Sequence, residues 1–494
     1  MTEMRTLGNG WSGQQFPHPA GRLPMLGDLR PAMLRDGPVQ TMIDRVDELR
    51  PIFEAKLIKR RVVFVVGAEL AAELCDETRF QKAPTPVINA LRELGGDGLF
   101  TAYNDEPNWQ LAHDLLMPAF TKSAMQTYHA TMLAAVGELF DYWDAGATGA
   151  GVPLRRGDIS GDMTKLTMET ISRTAFSHDF GSFKAAQPHR FVPAMVAALR
   201  TSMAKGALPP GPPGRLVGSI LDFRNRDHLA YVESMLDDLI AQRRNSADTS
   251  THDLLGIMLN ATHSESGAHL DDLNIRRQIL TFMIAGHETT SGALSFALYF
   301  LSRNPDVLAK AQAETDQILG NDPDAEPTYE QVAKFRYIRR VLDEGLRLWP
   351  TVPGFARMPR TDTTIGDRYR MTTDDFAIIA LGGVHRDPAV WPEPLRFDPD
   401  RFLPENVKAR PAHSYKPFGA GLRACIGRQF ALHEAVLVLA RILHRYNMSG
   451  DSGYQLKIDE RLTLMPRDFR LDLTPRAPGA AGSRIDADRA TATR

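Results

Sequence analysis

Residues 418–427 read FGAGLRACIG and contain one of only two cysteines in 494 residues. An apolar-periodic run (Ile426, Ala431, Leu432, Ala435, Val436, Leu439, Ile442, Leu443) follows Cys425 at once. That spacing places the sulfur just before, or at, the N-terminus of a buried helix. Free backbone N–H groups and the helix dipole favour a thiolate over a thiol there, and a thiolate is a soft metal ligand. Gly421 and Gly427 let the backbone pass beneath a flat group where a Cβ would collide.

Three other readings compete. A lone cysteine is commonly a small buried hydrophobe. Gly419, Gly421 and Ala424 fit G-x-G-x-x-A, but that motif must follow a strand and precede an acid about twenty residues on, and HSYKP stands before it. A nucleophilic cysteine needs a partner His and Asn or Asp, and no such signature is found.

Working outward, residues 270–303 predict the longest helix, about 50 Å at 1.5 Å per residue, ended by Asn304-Pro305. Between residues 278 and 302 Glu288 is the only formal charge. His, Glu, Thr and Ser at its centre argue for a buried helix of a soluble protein over a membrane span. The central AGHETT (residues 285–290) is a weak point. Gly286 costs about 1 kcal/mol in a helix, and Thr289 and Thr290 hydroxyls compete for i−4 carbonyls. It is either a tolerated kink or a place where something fits beside the helix. Zinc is excluded, because Ser291 stands where H-E-x-x-H requires its second His.

Trp109 and His113, four apart, share a helix face and can both donate to an anion; a packed Trp beside a solvated His is the alternative. Glu344 and Arg347 in VLDEGLRL share a face too, and an exposed pair of that kind contributes well under about 1 kcal/mol. Residues 53–67 read as strands. Residues 84–94 read as a helix presenting Val87, Ile88 and Leu91 to a pocket, and GGDGLF (residues 95–100) as a loop ending on Phe100. Residues 206–218 hold four prolines and four glycines, hence a loop, either a linker or a lid. Short β segments follow Tyr446, with Leu462 at a hairpin tip. Residues 1–20 read as a flexible arm, 21–474 as one domain and 475–494 as a disordered tail.

The 43% apolar content supplies a large core, and a net charge of −2 with mixed signs gives no nucleic-acid signature. Two distant cysteines form no disulfide framework, which fits a reducing cytoplasm. The N-terminus lacks the basic-then-apolar layout of a signal peptide or membrane anchor.

The pattern F-x-x-G-x-R-x-C-x-G closely resembles the cysteine loop of the cytochromes P450. The resemblance implies a mostly α-helical domain with a small β region, holding haem b (iron protoporphyrin IX). By that resemblance Cys425 is the axial thiolate, Phe418 and Gly427 belong to its loop, and Arg423, Trp109 and His113 hold haem propionates. AGHETT is similar to the family's oxygen-binding groove, with Thr289 hydrogen-bonding dioxygen, Glu288 relaying protons, and Ala285 and Gly286 beside haem and substrate. Glu344, Arg347 and Arg401 (in PDRF) resemble the family's buried structural network. Residues 206–218 become a lid loop. Val87, Ile88, Leu91, Phe100, Leu199, Val352, Phe355 and Leu462 become an apolar substrate pocket, with Phe100 over the haem.

The runs AGHETTSG, SFALYFL, KPFG, RACIG and QFALHEA are similar to one subgroup, the haem domains of bacterial self-sufficient fatty-acid hydroxylases fused to a diflavin reductase. The similarity extends over about residues 28–472. About seventy residues follow Cys425, too few for a flavin domain of ordinary size. The expected activity is a monooxygenase, a monomer, that inserts one atom of O2 into an apolar substrate. NAD(P)H is used indirectly, through ferredoxin or flavodoxin and their reductase. Lys408, Arg410, Lys416 and Arg428 offer such a carrier a basic patch. In the subgroup an Arg and a Tyr on the first sheet hold the fatty-acid carboxylate. Here Lys59, Arg60 and Arg61 offer charge, but Val62, Val63 and Phe64 stand where the Tyr is expected, so a terpenoid or polyketide scaffold rivals a fatty acid. A peroxide-driven peroxygenase and a non-catalytic haem or ligand-binding protein are the alternatives. The Glu288–Thr289 pair argues against both.

Overall fold

Helix Asp272–Arg303 begins where the Asp271 side chain accepts from the Asn274 N–H at 2.7 Å. It ends at Asn304, and Pro305 opens the next helix. Proline at a first turn lacks only a donor that would be orphaned there, so it starts a helix at little cost. From Gln278 to Leu298 this central helix is buried except at Ile284, Ala285, Gly286 and Thr289. Helices Ile159–Phe176, Arg336–Leu348 and Arg428–Arg445 pack around it. Gly286 permits one of these approaches, since a Cβ there would lie 2.8 Å from Ile171 Cγ1. Gly292 does the same for the hairpin of Ile458–Glu460 and Leu464–Pro466, where a Cβ would lie 2.7 Å from the Leu464 carbonyl oxygen.

The computed structural model describes residues 11, 14–24, 26–28, 38–43, 45–57, 60–145, 154–155, 158–185, 189–208, 211–246, 249–250 and 252–476. The fold is mostly helical with small sheets, in the class read from sequence. The largest sheet orders its strands Ile52–Leu57, Arg60–Val65, Ala377–Ala380, Gly354–Pro359, Phe80–Lys82. The first two form a hairpin in which Ile52 faces Val65. Among the described residues, no helix is long and apolar enough to cross a membrane.

Three expectations change. Residues 206–218 are mostly helix, because Pro212 and Pro213 occupy the first turn of helix Pro212–Asn245 and the glycines at 214 and 218 are buried within it. That helix has 34 residues against 32 for Asp272–Arg303, which is therefore not the longest. The described part of the N-terminal arm is packed. The Trp11 indole N–H donates to the Phe376 carbonyl at 3.1 Å, and Phe16 stacks on Tyr369 at 4.9 Å. Arg61 holds this arm by donating to the Trp11 and Gln14 carbonyls at 2.7 and 2.6 Å while paired with Glu54. Residues 1–10 and 477–494, which include nearly all of the expected tail, lie outside the described residues.

Candidate active site

Gly419 and Gly421 sit at φ +73° and +69°, a backbone region that favours glycine, and the Cys425 N–H closes their loop on the Phe418 carbonyl at 2.9 Å. A side chain at Gly421 would strike the Glu77 carboxylate, so that glycine makes room for Glu77 and not for a flat group beneath the loop. Gly427 caps helix Arg428–Arg445. The direction its Cβ would take is open apart from ordinary contact with Cys425 Sγ at 3.9 Å and Phe120 at 4.0 Å. Phe418 is half-buried beneath the Arg428 guanidinium, 5.7 Å from its ring.

Cys425 is exposed, yet protein crowds it enough that burial pushes the thiol above its ordinary pKa, against the pull of the Gly427 N–H and Arg428. The helix start therefore does not by itself produce the thiolate expected from sequence. A bound metal would, because coordination deprotonates a thiol outright. Cys75, the other cysteine, is buried.

Two sets of contacts join this loop to the central helix. Gly427 approaches Phe120, whose ring stacks on Phe282 at 5.4 Å. On the other side, Arg423 donates to the Tyr103 carbonyl at 2.9 Å, and the Leu99 N–H donates to Gln278 at 3.0 Å. Cys425, Phe100, Ala285 and Val352 are exposed and Thr289 is half-buried, and around Ala285 and Thr289 the central helix is otherwise largely buried. The Thr289 hydroxyl donates to the Ala285 carbonyl at 2.7 Å.

Beside this opening lies a cluster of cations. The Arg423 guanidinium stacks on Trp109 at 4.1 Å, and burial lowers its pKa to about 10. Lys82 Nζ shares the Ala102 carbonyl with Arg423 and also bonds the Phe100 carbonyl. Burial, with Arg423 and Arg92 nearby, pulls Lys82 down to about 7. Arg92 is neutralised by Glu106 at 2.6 Å, but among the described residues neither Lys82 nor Arg423 pairs with a carboxylate. Sequence reasoning missed Lys82, whose place at the end of strand Phe80–Lys82 carries no motif. His113 stacks on Trp109 at 4.9 Å, with its Nδ1 3.4 Å from Asp114.

Glu288 is buried, and its Oε2 lies 3.4 Å from the Thr463 hydroxyl. It lines a cavity of about 240 Å³ with Leu199 and Leu462. Val87 and Ile88 are half-buried on helix Pro86–Gly95, Leu91 is packed into the core, and Phe355 is half-buried on strand Gly354–Pro359. Gly286 also faces Ile171, where a Cβ would lie 2.8 Å from Cγ1.

Glu344 and Arg347 form a fully buried bidentate pair at 2.6 and 2.8 Å. Arg347 also donates to the His385, Pro394 and Arg396 carbonyls at 3.0, 2.8 and 3.1 Å. Arg401 Nε lies 3.4 Å from Glu344. Every strong donor of Arg347 is thus satisfied, as a buried charge requires.

The chain belongs to the cytochrome P450 family, whose model matches residues 17–473. It is 41% identical over 465 residues to a bifunctional cytochrome P450/NADPH–P450 reductase of Bacillus cereus, covering 93% of this chain and 41% of that protein. A protein of the same description from Bacillus subtilis is 41% identical over 470 residues, covering 95% of this chain and 42% of that one. A self-sufficient cytochrome P450 monooxygenase of Phanerodontia chrysosporium is 36% identical over 459 residues, or 92% of this chain and 42% of that one. The chain thus spans about two-fifths of the length of these relatives.

The family implies haem, and the residues fit it. No group of three His, Cys, Asp or Glu is placed to hold a metal among the described residues, so a metal on Cys425 would draw its other ligands from a bound group. Lys82 and Arg423, desolvated and without carboxylate partners, suit the two propionates.

Proposed function

We propose that this chain is a haem-thiolate monooxygenase that inserts one atom of O2 into an apolar substrate. The observation that carries the reading is the exposed Cys425 thiol ahead of a buried helix, tied through Phe120 and Phe282 to the stretch where Ala285 is exposed and Thr289 half-buried. Haem ligated by a thiolate supplies the oxygen-activating chemistry.

The chain's own residues do the rest. Cys425 is the iron ligand, and Arg423 and Lys82, with the Trp109 and His113 face, hold the propionates. Thr289 holds a hydroxyl at the open stretch of the central helix. Glu288 brings a carboxylate to a cavity through which protons are supplied. Phe100 limits how a substrate approaches. The Glu344–Arg347–Arg401 network braces the segment leading to the cysteine loop. Electrons come from NAD(P)H, through a ferredoxin- or flavodoxin-type carrier or through a reductase such as those named in the relatives. The cytoplasm is the proposed location.

The test is a carbon-monoxide difference spectrum of the reduced, haem-loaded protein, with turnover driven by NADPH and redox partners beside turnover driven by peroxide. Cys425→Ser is expected to lose the thiolate spectrum and NADPH-driven activity, and Cys75→Ser to keep both. A thiolate spectrum in Cys425→Ser would overturn the assignment.

A further inference from the structure

Of the first-sheet cations named from sequence, Lys59 and the Arg60 side chain lie outside the described residues, and Arg61 is already engaged. Each guanidinium nitrogen of Arg61 makes one bond, to Glu54 and to the Trp11 and Gln14 carbonyls, and Arg22, from the chain ahead of the sheet, pairs with Asp28 at 2.8 Å and Glu54 at 2.5 Å. A different cation faces the cavity that reaches Glu288. Helix Phe191–Ala207 presents Val196, Leu199, Arg200 and Met203 to that cavity on one face, opposite Leu462 at the hairpin tip.

The charges around this cavity are accounted for, except at Arg200. Asp459 pairs with Arg461 at 2.8 Å. Glu460 accepts from the Val39 and Gln40 N–H groups at 3.0 and 2.7 Å. Glu288 is buried behind the Thr463 hydroxyl. Arg200 is exposed and makes no hydrogen bond or ion pair among the described residues. Arg200 and Glu288 therefore line one cavity together with the apolar Val196, Leu199, Met203 and Leu462. That is the arrangement for a molecule with one anionic end and an apolar body, its head on the cation and its tail directed inward, where the buried carboxylate would repel the head.

We propose that Arg200 binds the carboxylate of an amphipathic chain substrate, whose apolar body lies along Leu199, Met203 and Leu462. The assignment rests on the monooxygenase reading for its consequence, oxidation far from the carboxylate, but the binding step itself does not. The cavity measures about 240 Å³, just below the range of about 300–1,000 Å³ usual for ligand sites.

The probes are dodecanoate and its uncharged methyl ester, titrated calorimetrically into the full haem-loaded chain at low salt. Wild type is expected to bind the acid roughly tenfold more tightly than the ester, a ratio set by one charge-assisted contact. Arg200→Gln should abolish that ratio by weakening the acid alone, and Arg200→Glu should invert it. Arg224→Gln, another exposed arginine on the neighbouring helix, should leave it intact. A ratio near one in wild type, an unchanged ratio in Arg200→Gln, or failure of both probes to bind would each overturn the proposal. The carbon-monoxide spectrum of the same samples separates the two ideas. An intact thiolate spectrum with no acid preference removes Arg200 and leaves the haem assignment standing, whereas a missing spectrum with the preference retained does the reverse.

Discussion

The Thr289 hydroxyl donates its proton to the Ala285 carbonyl at 2.7 Å, so it offers its lone pairs, and not its proton, to the opening beside it. A hydroxyl in that position can hold a water or another donor in line for proton delivery. Thr289→Ala is expected to fold and bind haem and substrate normally, while product formed per NADPH falls severalfold and hydrogen peroxide rises. Thr289→Ser, which keeps the hydroxyl, should retain most of the coupling. Product and peroxide measured together against NADPH consumption decide it, and unchanged coupling in Thr289→Ala removes the residue from the mechanism.

Phe100 is 43% exposed, although it ends a loop fixed by Lys82 on its carbonyl. A core phenylalanine cut to alanine costs about 3–5 kcal/mol. Exposure of this degree predicts a loss of about 1 kcal/mol or less. Phe100→Ala should therefore leave thermal stability nearly unchanged and alter which carbon is oxidised. Product regiochemistry measured beside thermal stability checks this, and destabilisation with an unaltered product ratio would make Phe100 a core plug.

Glu434 is fully buried on helix Arg428–Arg445, and neither carboxyl oxygen has a hydrogen-bond partner among the described residues. Burial pushes its pKa up to about 8, opposed by the nearby Thr170 hydroxyl, whose own proton goes to the Leu166 carbonyl at 3.0 Å. The folded chain thus keeps a proton that the unfolded chain gives up near the ordinary carboxylate value. By linkage, this contribution to stability is greatest below that value. It declines at up to about 1.4 kcal/mol per pH unit as pH rises toward 8, then levels. Glu434→Gln should flatten the slope and be the more stable protein at about pH 8. Urea denaturation across that window measures it; parallel slopes in the two proteins would refute the buried neutral carboxyl.

The basic patch expected near the cysteine loop is smaller than four residues. Arg410 lies 3.9 Å from the Trp391 ring and 4.9 Å from Phe402, and burial lowers its pKa to about 10. It is a packing residue. Lys408 and Arg428 are exposed and Lys416 half-buried. With Lys416→Glu and Arg428→Glu combined, reduction by an acidic carrier is expected to slow roughly tenfold at low salt, and the difference to shrink as salt screens it. Reduction rates that keep their magnitude and salt dependence would place docking elsewhere.

FGAGLRACIG and AGHETT identified the family from sequence alone, because such chemistry demands particular residues at short fixed spacing. Local backbone rules also fixed the central helix, the strands within residues 53–67 and the turn carrying Leu462. Proline-rich residues 206–218 misled because a proline is a helix breaker inside a helix and a helix starter at its first turn, and only the register of the neighbouring chain decides between them. Gly286 read in sequence as a place where something fits beside the helix, and its near approach to Ile171 on another helix was not legible there. Lys82 beside Arg423, Arg200 facing the Glu288 cavity, and Glu434 without a partner carry no signal of their own. Their meaning depends on which charges and apolar walls the fold brings within a few ångströms. Burial and pairing are properties of segments distant in sequence, so the tertiary structure alone decided them.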